Sequence, residues 1–259
     1  MAANKKIRLE LIDSIRGLAI VNMIAFHACF IMNVFNLLIS GELLFGRSFT
    51  IWERFICTTF IFISGFAFNL SKNQLKNGLK ILGTGIMITV VTVTLLYDLR
   101  IIFGVLCVLG LSQLIMIPLD KLMTKHIKDK KIYLGLFIIV LFIVIMTWNI
   151  NKGYLGIGNL VTIMLPETLY QKGYVMTFIG FTSRGFYSTD YFSFLPWFFV
   201  YMLGYIMHKL IKDTVIEKRY LIKGVPFLRT IGKHSLIIYI IHPVVLFVAI
   251  FAISLFVNK

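Results

Sequence analysis

Arg16 and His27 stand eleven residues apart in LIDSIRGLAIVNMIAFHACF, an otherwise apolar run. On an α-helix eleven steps of about 100° return to within roughly 20° of the starting direction, with a rise of about 16 Å. The two side chains therefore share one face at different depths. A guanidinium is shaped to hold phosphate, and a neutral imidazole can take a proton near neutral pH. The pair suits an extended ligand with its anionic end at Arg16 and its reactive end at His27. Asp13, one turn before Arg16, joins the same rim or caps the helix. A second histidine lies in IGKHSLIIYIIHPVVLF. His242 is nine residues past Lys233, about 13 Å deep if the helix begins there, a depth comparable with that of His27. Ionisable groups at such depth are costly, which makes both histidines candidates for catalysis. The structural alternatives are a packing role for His27 and a kink at His242-Pro243, where the ring bonds a freed carbonyl. No third ligand at a metal-binding spacing accompanies the two histidines, so no metal is expected. Lys233 and His234 complete a cationic, phosphate-facing rim.

A second polar set falls at the opposite ends of the apolar runs: Glu53 with Arg54, Asp98 with Arg100, and Asp190 in STDYFSFLPW. Carboxylates beside rings such as Tyr191, Phe192 and Trp197 suit a sugar, whose faces stack on aromatics and whose hydroxyls bond acids. The alternative is an aromatic belt at a bilayer interface. Glu53, Arg100, Tyr191 and Trp197 are the acceptor-binding candidates, and Asp190 a catalytic one. Asn22, Asn36 and Gln113 can tie helices together, and Gly104, Gly110 and Gly204 can let them approach closely.

The elements that must carry these groups follow from the composition. Of 259 residues 59% are hydrophobic and only 14% charged. A soluble domain has about a quarter charged residues, so the solvent here is lipid. Disordered chains, coiled coils and disulfide scaffolds are excluded, and Cys29, Cys57 and Cys107 read as small buried hydrophobes. Seven stretches near the 20 residues needed to span a bilayer lie at about 14–38, 52–70, 78–97, 101–119, 132–150, 194–212 and 234–257. The fold is then an all-α polytopic membrane helix bundle, a single domain over 1–259. The segment 158–181, broken by Pro166, Glu167 and Lys172, reads as interfacial or re-entrant, with an eighth span as the alternative.

Lys and Arg set the orientation. One side holds four in the tail through Arg16, three at Lys72–Lys80, five at Lys121–Lys131 and seven at Lys209–Lys233; the other side holds the remaining seven of 26. This bias puts the N-terminus in the cytoplasm. It also accounts for the net charge of +15 without nucleic acid as a partner. The long loop 151–193, rich in Gly, Tyr, Phe and Ser, then lies on the outer side as a shaped, aromatic-lined segment. A small transporter or flippase with a histidine-lined path is the alternative to an enzyme. The absence of an internal repeat counts against it.

RLELIDSIRGLAIVNMIAFH resembles the opening of the heparan-alpha-glucosaminide N-acetyltransferase catalytic-domain family, particularly its short bacterial members. FIFISGFAFNLS, RIIFGVLCVLGLS, DYFSFLPWFFVYMLGY and IGKHSLIIYIIHPV are similar to later blocks of that family, in the same order. The resemblance implies acetyl-CoA as acyl donor and a sugar or glycan as acceptor, acetylated at an amine or a hydroxyl; the bias toward Lys, Ile and Asn points to a bacterial source and so to a plasma membrane. It matches Arg16 to the family's donor-phosphate arginine and His27 to its proposed base. His242, Ser235, Asp190, Trp197 and Arg100 match its later blocks. In the lysosomal members an asparagine stands at the position of His27, so that role rests on the bacterial pattern. A homo-oligomer is compatible with the sequence.

Overall fold

A computed structural model describes residues 9–37, 41–44, 46–157 and 162–257. Lys5, Lys6, Arg8 and Lys259 of the charge count lie outside them. Of the described residues 78% are helical. Among the described residues seven helices are long and apolar enough to cross a membrane: Glu10–Val34, Arg47–Leu70, Gln74–Leu95, Val105–His126, Lys130–Lys152, Phe194–Ile211 and Ser235–Val257. The chain is an all-α, multi-pass membrane protein, as hydropathy predicts. In chain order the helices are α1 (Glu10–Val34), α2 (Gly41–Leu44), α3 (Arg47–Ala67), α4 (Gln74–Leu95), α5 (Val105–His126), α6 (Lys130–Thr147), α7 (Gly173–Ile179), α8 (Phe194–Ile211), α9 (Val215–Arg219), α10 (Pro226–Lys233) and α11 (Ser235–Val257). Residues up to 63 and from 211 onward form one compact unit, and 64–210 form the other.

In the first unit α1 and α10 cross backbone to backbone. A Cβ on Gly17 would overlap the Leu228 carbonyl, and one on Gly232 the Asp13 carbonyl. Only glycine permits that approach. The strap before α10 is tied to the same end of α1. Leu11 N–H donates to the Leu221 carbonyl (3.0 Å), and the Ser14 hydroxyl accepts from Val225 N–H (3.0 Å) while donating to the Glu10 carbonyl (2.9 Å). Arg229 pairs with Glu10. On the neighbouring helix, Trp52 donates its indole N–H to Asn22 Oδ1 at 3.1 Å, and Asn22 in turn donates to the Leu18 carbonyl. Asn22 therefore ties α1 to α3, as its position suggests. Asn36 does something else. α1 ends at Val34, and Asn36 sits beyond it at φ 55°, a left-handed conformation asparagine tolerates at helix ends.

In the second unit α4 and α5 pack through small residues: Gly110 faces the Leu82 backbone and Gly85 the backbone of Cys107. Gln113 donates to the Gln74 carbonyl at 2.8 Å, joining the same two helices. α5 runs seven residues past the predicted end at 119, because Asp120, the first charge that suggests a terminus, is paired within the protein. Asp120 accepts from Tyr205 (2.6 Å) and Lys209 (2.8 Å) on α8. The segment at 158–181 contains no spanning helix among its described residues. Around it are a short antiparallel pair, β1 (Tyr154–Gly156) with β2 (Thr162–Met164), a 3₁₀ turn at Glu167–Gln171, and α7. Gly153 at φ 93° and Gly173 at φ 76° make the turns that β-branched or bulky residues would resist.

Candidate active site

The first unit brings the two histidines together. His27 Nδ1 lies 2.6 Å from His242 Nε2, and His242 Nδ1 lies 3.1 Å from the Ile238 carbonyl oxygen. The ring planes differ by 11° and the centroids are 4.9 Å apart, close to the largest separation that so short an N···N contact permits. The rings therefore meet edge to edge in nearly one plane. The bond directions then follow by elimination. A carbonyl oxygen only accepts, so His242 Nδ1 carries a proton, and in the neutral ring its Nε2 is a lone pair. His27 must donate from Nδ1, which leaves its own lone pair on Nε2. One backbone carbonyl thus sets the tautomer of both rings.

The helices aim the pair inward. The buried residues of α11 are His242, Ile250 and Ser254, a single stripe on an otherwise lipid-exposed helix. His242 is 6% exposed, whereas Val244, Val245 and Val248 on the remaining face are open. Pro243 lacks the N–H that would have bonded the Tyr239 carbonyl, and the imidazole bonds the adjacent carbonyl of Ile238. His242 therefore serves the backbone beside the proline and the other histidine at once. His27 also neighbours an aromatic group. Phe26, Phe49 and Trp52 stand with ring centroids 5.5–6.0 Å apart, and Phe26 lies 6.1 Å from the His27 ring.

The rim that carries Arg16 and Lys233 differs in detail from the sequence expectation. The helix begins at Glu10 with Leu9 as N-cap, so Asp13 lies in the first turn, where a carboxylate suits the helix dipole, and is not the cap. Arg16 reaches Asp13 at 3.8 Å, and both side chains are mostly covered. Lys233 ends α10, His234 is the break, and α11 starts at Ser235. Counted from Ser235, His242 lies about 10 Å along its helix and not 13 Å. Lys233 and His234 are exposed, Ser235 half-buried. Glu53 is exposed on α3 next to Trp52.

Asp190, Arg100, Tyr191 and Trp197 gather in the second unit. Residues 188–192 lie against 100–105: Thr189 N–H donates to the Arg100 carbonyl (3.1 Å), Phe192 N–H to the Phe103 carbonyl (2.9 Å), and Ile102 N–H to the Ser188 hydroxyl (2.9 Å). That register sets Asp190 at the start of α5. Its Oδ2 is 3.5 Å from Val105 N, and a Cβ on Gly104 would come within 3.1 Å of it. A carboxylate is favoured at this end of a helix. The Arg100 guanidinium lies over the rings of Tyr97 (4.3 Å) and Tyr187 (4.9 Å). Trp197 packs on Trp148 and Phe192, with centroids at 5.4 and 5.1 Å. The Tyr191 hydroxyl donates to the Thr177 carbonyl at 2.5 Å, and burial pushes its ionisation above the usual range. Its hydrogen atom is thus committed within the protein.

Among the described residues no three His, Cys, Asp or Glu side chains cluster as a metal site would require. Two features of the first unit escape the sequence reading. One is the Gly17–Gly232 crossing; the other is the separate helix α10. For α10 the signal is present in Pro226 at its first turn, a favoured position for proline. For the crossing no local signal exists, since the glycines meet only after the chain has folded.

Residues 8–244 match the family described as heparan-alpha-glucosaminide N-acetyltransferase, catalytic. The searches of the curated proteins and of the solved structures find no match. The matched range runs from the start of α1 to just past His242, so it takes in both histidines and nearly the whole membrane part. The chain belongs to the heparan-alpha-glucosaminide N-acetyltransferase catalytic family and is a membrane acetyltransferase.

Proposed function

We propose that this chain moves an acetyl group from cytoplasmic acetyl-CoA to an amine or hydroxyl of a sugar or glycan on the outer side of a bacterial plasma membrane. The observation that carries the reading is the in-plane bond between His27 Nδ1 and His242 Nε2, closed by the Ile238 carbonyl. It leaves a basic lone pair on Nε2 of His27, about two-thirds of the way along a spanning helix whose cytoplasmic end carries Arg16. In this reading Arg16, ordered by Asp13, meets the donor's phosphates together with Lys233, His234 and Ser235, because charge-assisted bonds to phosphate are the strong ones. A linear donor suits the rise of about 16 Å from Arg16 to His27.

His27 Nε2 takes the acceptor's proton as its nitrogen or oxygen bonds to the acetyl carbon and the carbon–sulfur bond breaks. The Nδ1 proton can shift toward His242 at the same time, which spreads the new positive charge over two rings. The proton then returns to the leaving thiolate. General-base assistance of this kind is worth about a hundred- to ten-thousandfold in rate. Glu53, Asp190, Arg100, Tyr191 and Trp197 are assigned to the acceptor. Asp190 would take a sugar hydroxyl or amine alongside its contact with α5.

Isothermal titration of the purified protein with acetyl-CoA tests the reading. Saturable binding that weakens at least tenfold in Arg16→Ala is the expected result. Wild-type protein that takes up no acetyl-CoA would favour a transporter and remove the donor from the account.

A further inference from the structure

Outside the seven spans the strap from 212 to 234 has an unusual outward face. Val215, Ile216, Tyr220, Val225 and Phe227 are all exposed, Val215 and Phe227 to 69% and 70%. Exposed apolar side chains on a spanning helix face lipid tails and need no further account, but these five sit beyond the helix ends. Cations alternate with them: Lys218, Arg219, Lys223 and Lys233 are exposed, and the strap holds six Lys and Arg against the two carboxylates Asp213 and Glu217. The Arg219 guanidinium lies 5.8 Å from the centre of the Tyr220 ring.

The opposite face is fixed. Leu221, Gly224, Val225, Arg229 and Gly232 hold the strap on the first turns of α1 through backbone bonds, an ion pair and the glycine crossing already described. The outward set is therefore held in place and does not belong to a loose tail. On α10 the outward residues are Pro226, Phe227, Thr230 and Lys233, one side of a helix whose other side carries Gly232.

We propose that this strap docks on the bilayer surface and binds anionic phospholipid headgroups. Apolar side chains interleaved with cations, next to spanning helices on the Lys- and Arg-rich side, fit a surface where acyl chains begin and phosphates carry negative charge. Phe227 and Val225 enter the acyl boundary while Lys218, Arg219 and Lys223 meet phosphate. Because the strap is clamped to Asp13 and Gly17, lipid held there steadies the end of α1 that carries Arg16. This inference does not depend on the acyl-transfer reading.

The test uses the full chain in nanodiscs of neutral phosphatidylcholine with a fixed minor fraction of phosphatidylglycerol, the bromine placed on one lipid or the other. A Phe227→Trp variant is compared with wild type to subtract the three native tryptophans. The expected result is extra quenching at position 227, at least twofold greater from brominated phosphatidylglycerol than from brominated phosphatidylcholine at equal fraction. Raising salt toward 1 M, where the screening length falls to about 3 Å, should abolish that preference. So should Lys218→Gln/Arg219→Gln/Lys223→Gln in the same background. Equal quenching by the two lipids overturns the anionic preference. An added tryptophan quenched only by a water-soluble reagent overturns docking altogether and leaves a protein partner as the occupant. Retained binding of acetyl-CoA by the triple variant would separate this site from the donor's.

Discussion

Replacing His242 with Phe keeps a ring on the inward stripe of α11 but removes the acceptor of the His27 Nδ1 proton. The bond lost is the 2.6 Å contact that fixes His27 with its lone pair on Nε2. A neutral hydrogen bond contributes about 0.5–1.5 kcal/mol net, and about 1.4 kcal/mol is a factor of ten in population. The productive tautomer therefore falls by up to about tenfold. The near-coplanar constraint goes as well, and catalytic groups must be held within about 10–20° of their working geometry. Together these predict a fall in kcat of about ten- to a hundredfold, with little change in KM for the donor, whose proposed contacts lie at Arg16. His27→Ala removes the base and costs about a hundred- to ten-thousandfold. Since His242 acts through His27, the double variant should be no slower than His27→Ala alone. His242→Gln, whose amide oxygen can accept from Nδ1–H, should recover part of the loss. Acceptor-dependent release of CoA thiol in nanodiscs reads all four variants. Wild-type kcat in His242→Phe, or losses that multiply in the double variant, would refute the coupled pair.

Gly17→Ala should unfold the protein at a lower temperature in detergent, since the new methyl overlaps the Leu228 carbonyl; overpacking of this kind costs about 1–3 kcal/mol, and an unchanged melting curve would contradict the crossing. Asp120→Ala strips Lys209 and Tyr205 of their shared acceptor at the ends of α5 and α8, with Asp120 24% and Lys209 17% exposed. Hydrogen bonds to charged groups contribute about 1.5–3 kcal/mol, so unfolding should come markedly earlier, with Asp120→Asn intermediate; equal stability of all three proteins would contradict a structural role.

The spans were legible because lipid imposes one rule along the whole length of each helix: an unpaired backbone group costs too much, so about 20 apolar residues must coil together. Where the predicted ends slipped, a pairing partner distant in sequence was the cause. α5 continues past Asp120 because Lys209, 89 residues later, neutralises the charge that reads as a terminus. The histidines were legible as an expensive pair at similar depth. Their in-plane bond was not, because it depends on how α1 and α11 are rotated against each other, which no pattern within either helix specifies. Asn36 shows the same limit on a small scale. An asparagine at the end of an apolar run reads equally as helix glue or helix stop, and only the backbone angle distinguishes the two.

The central claim is best tested by sealing the protein in proteoliposomes, supplying radiolabelled acetyl-CoA at the face that carries Lys233, and enclosing glycan with free amines and hydroxyls at the other. The account predicts label covalently bound to enclosed glycan with the wild-type chain and at least a hundredfold less with His27→Ala. Equal labelling by the two proteins, or label that stays with CoA in both, would contradict it.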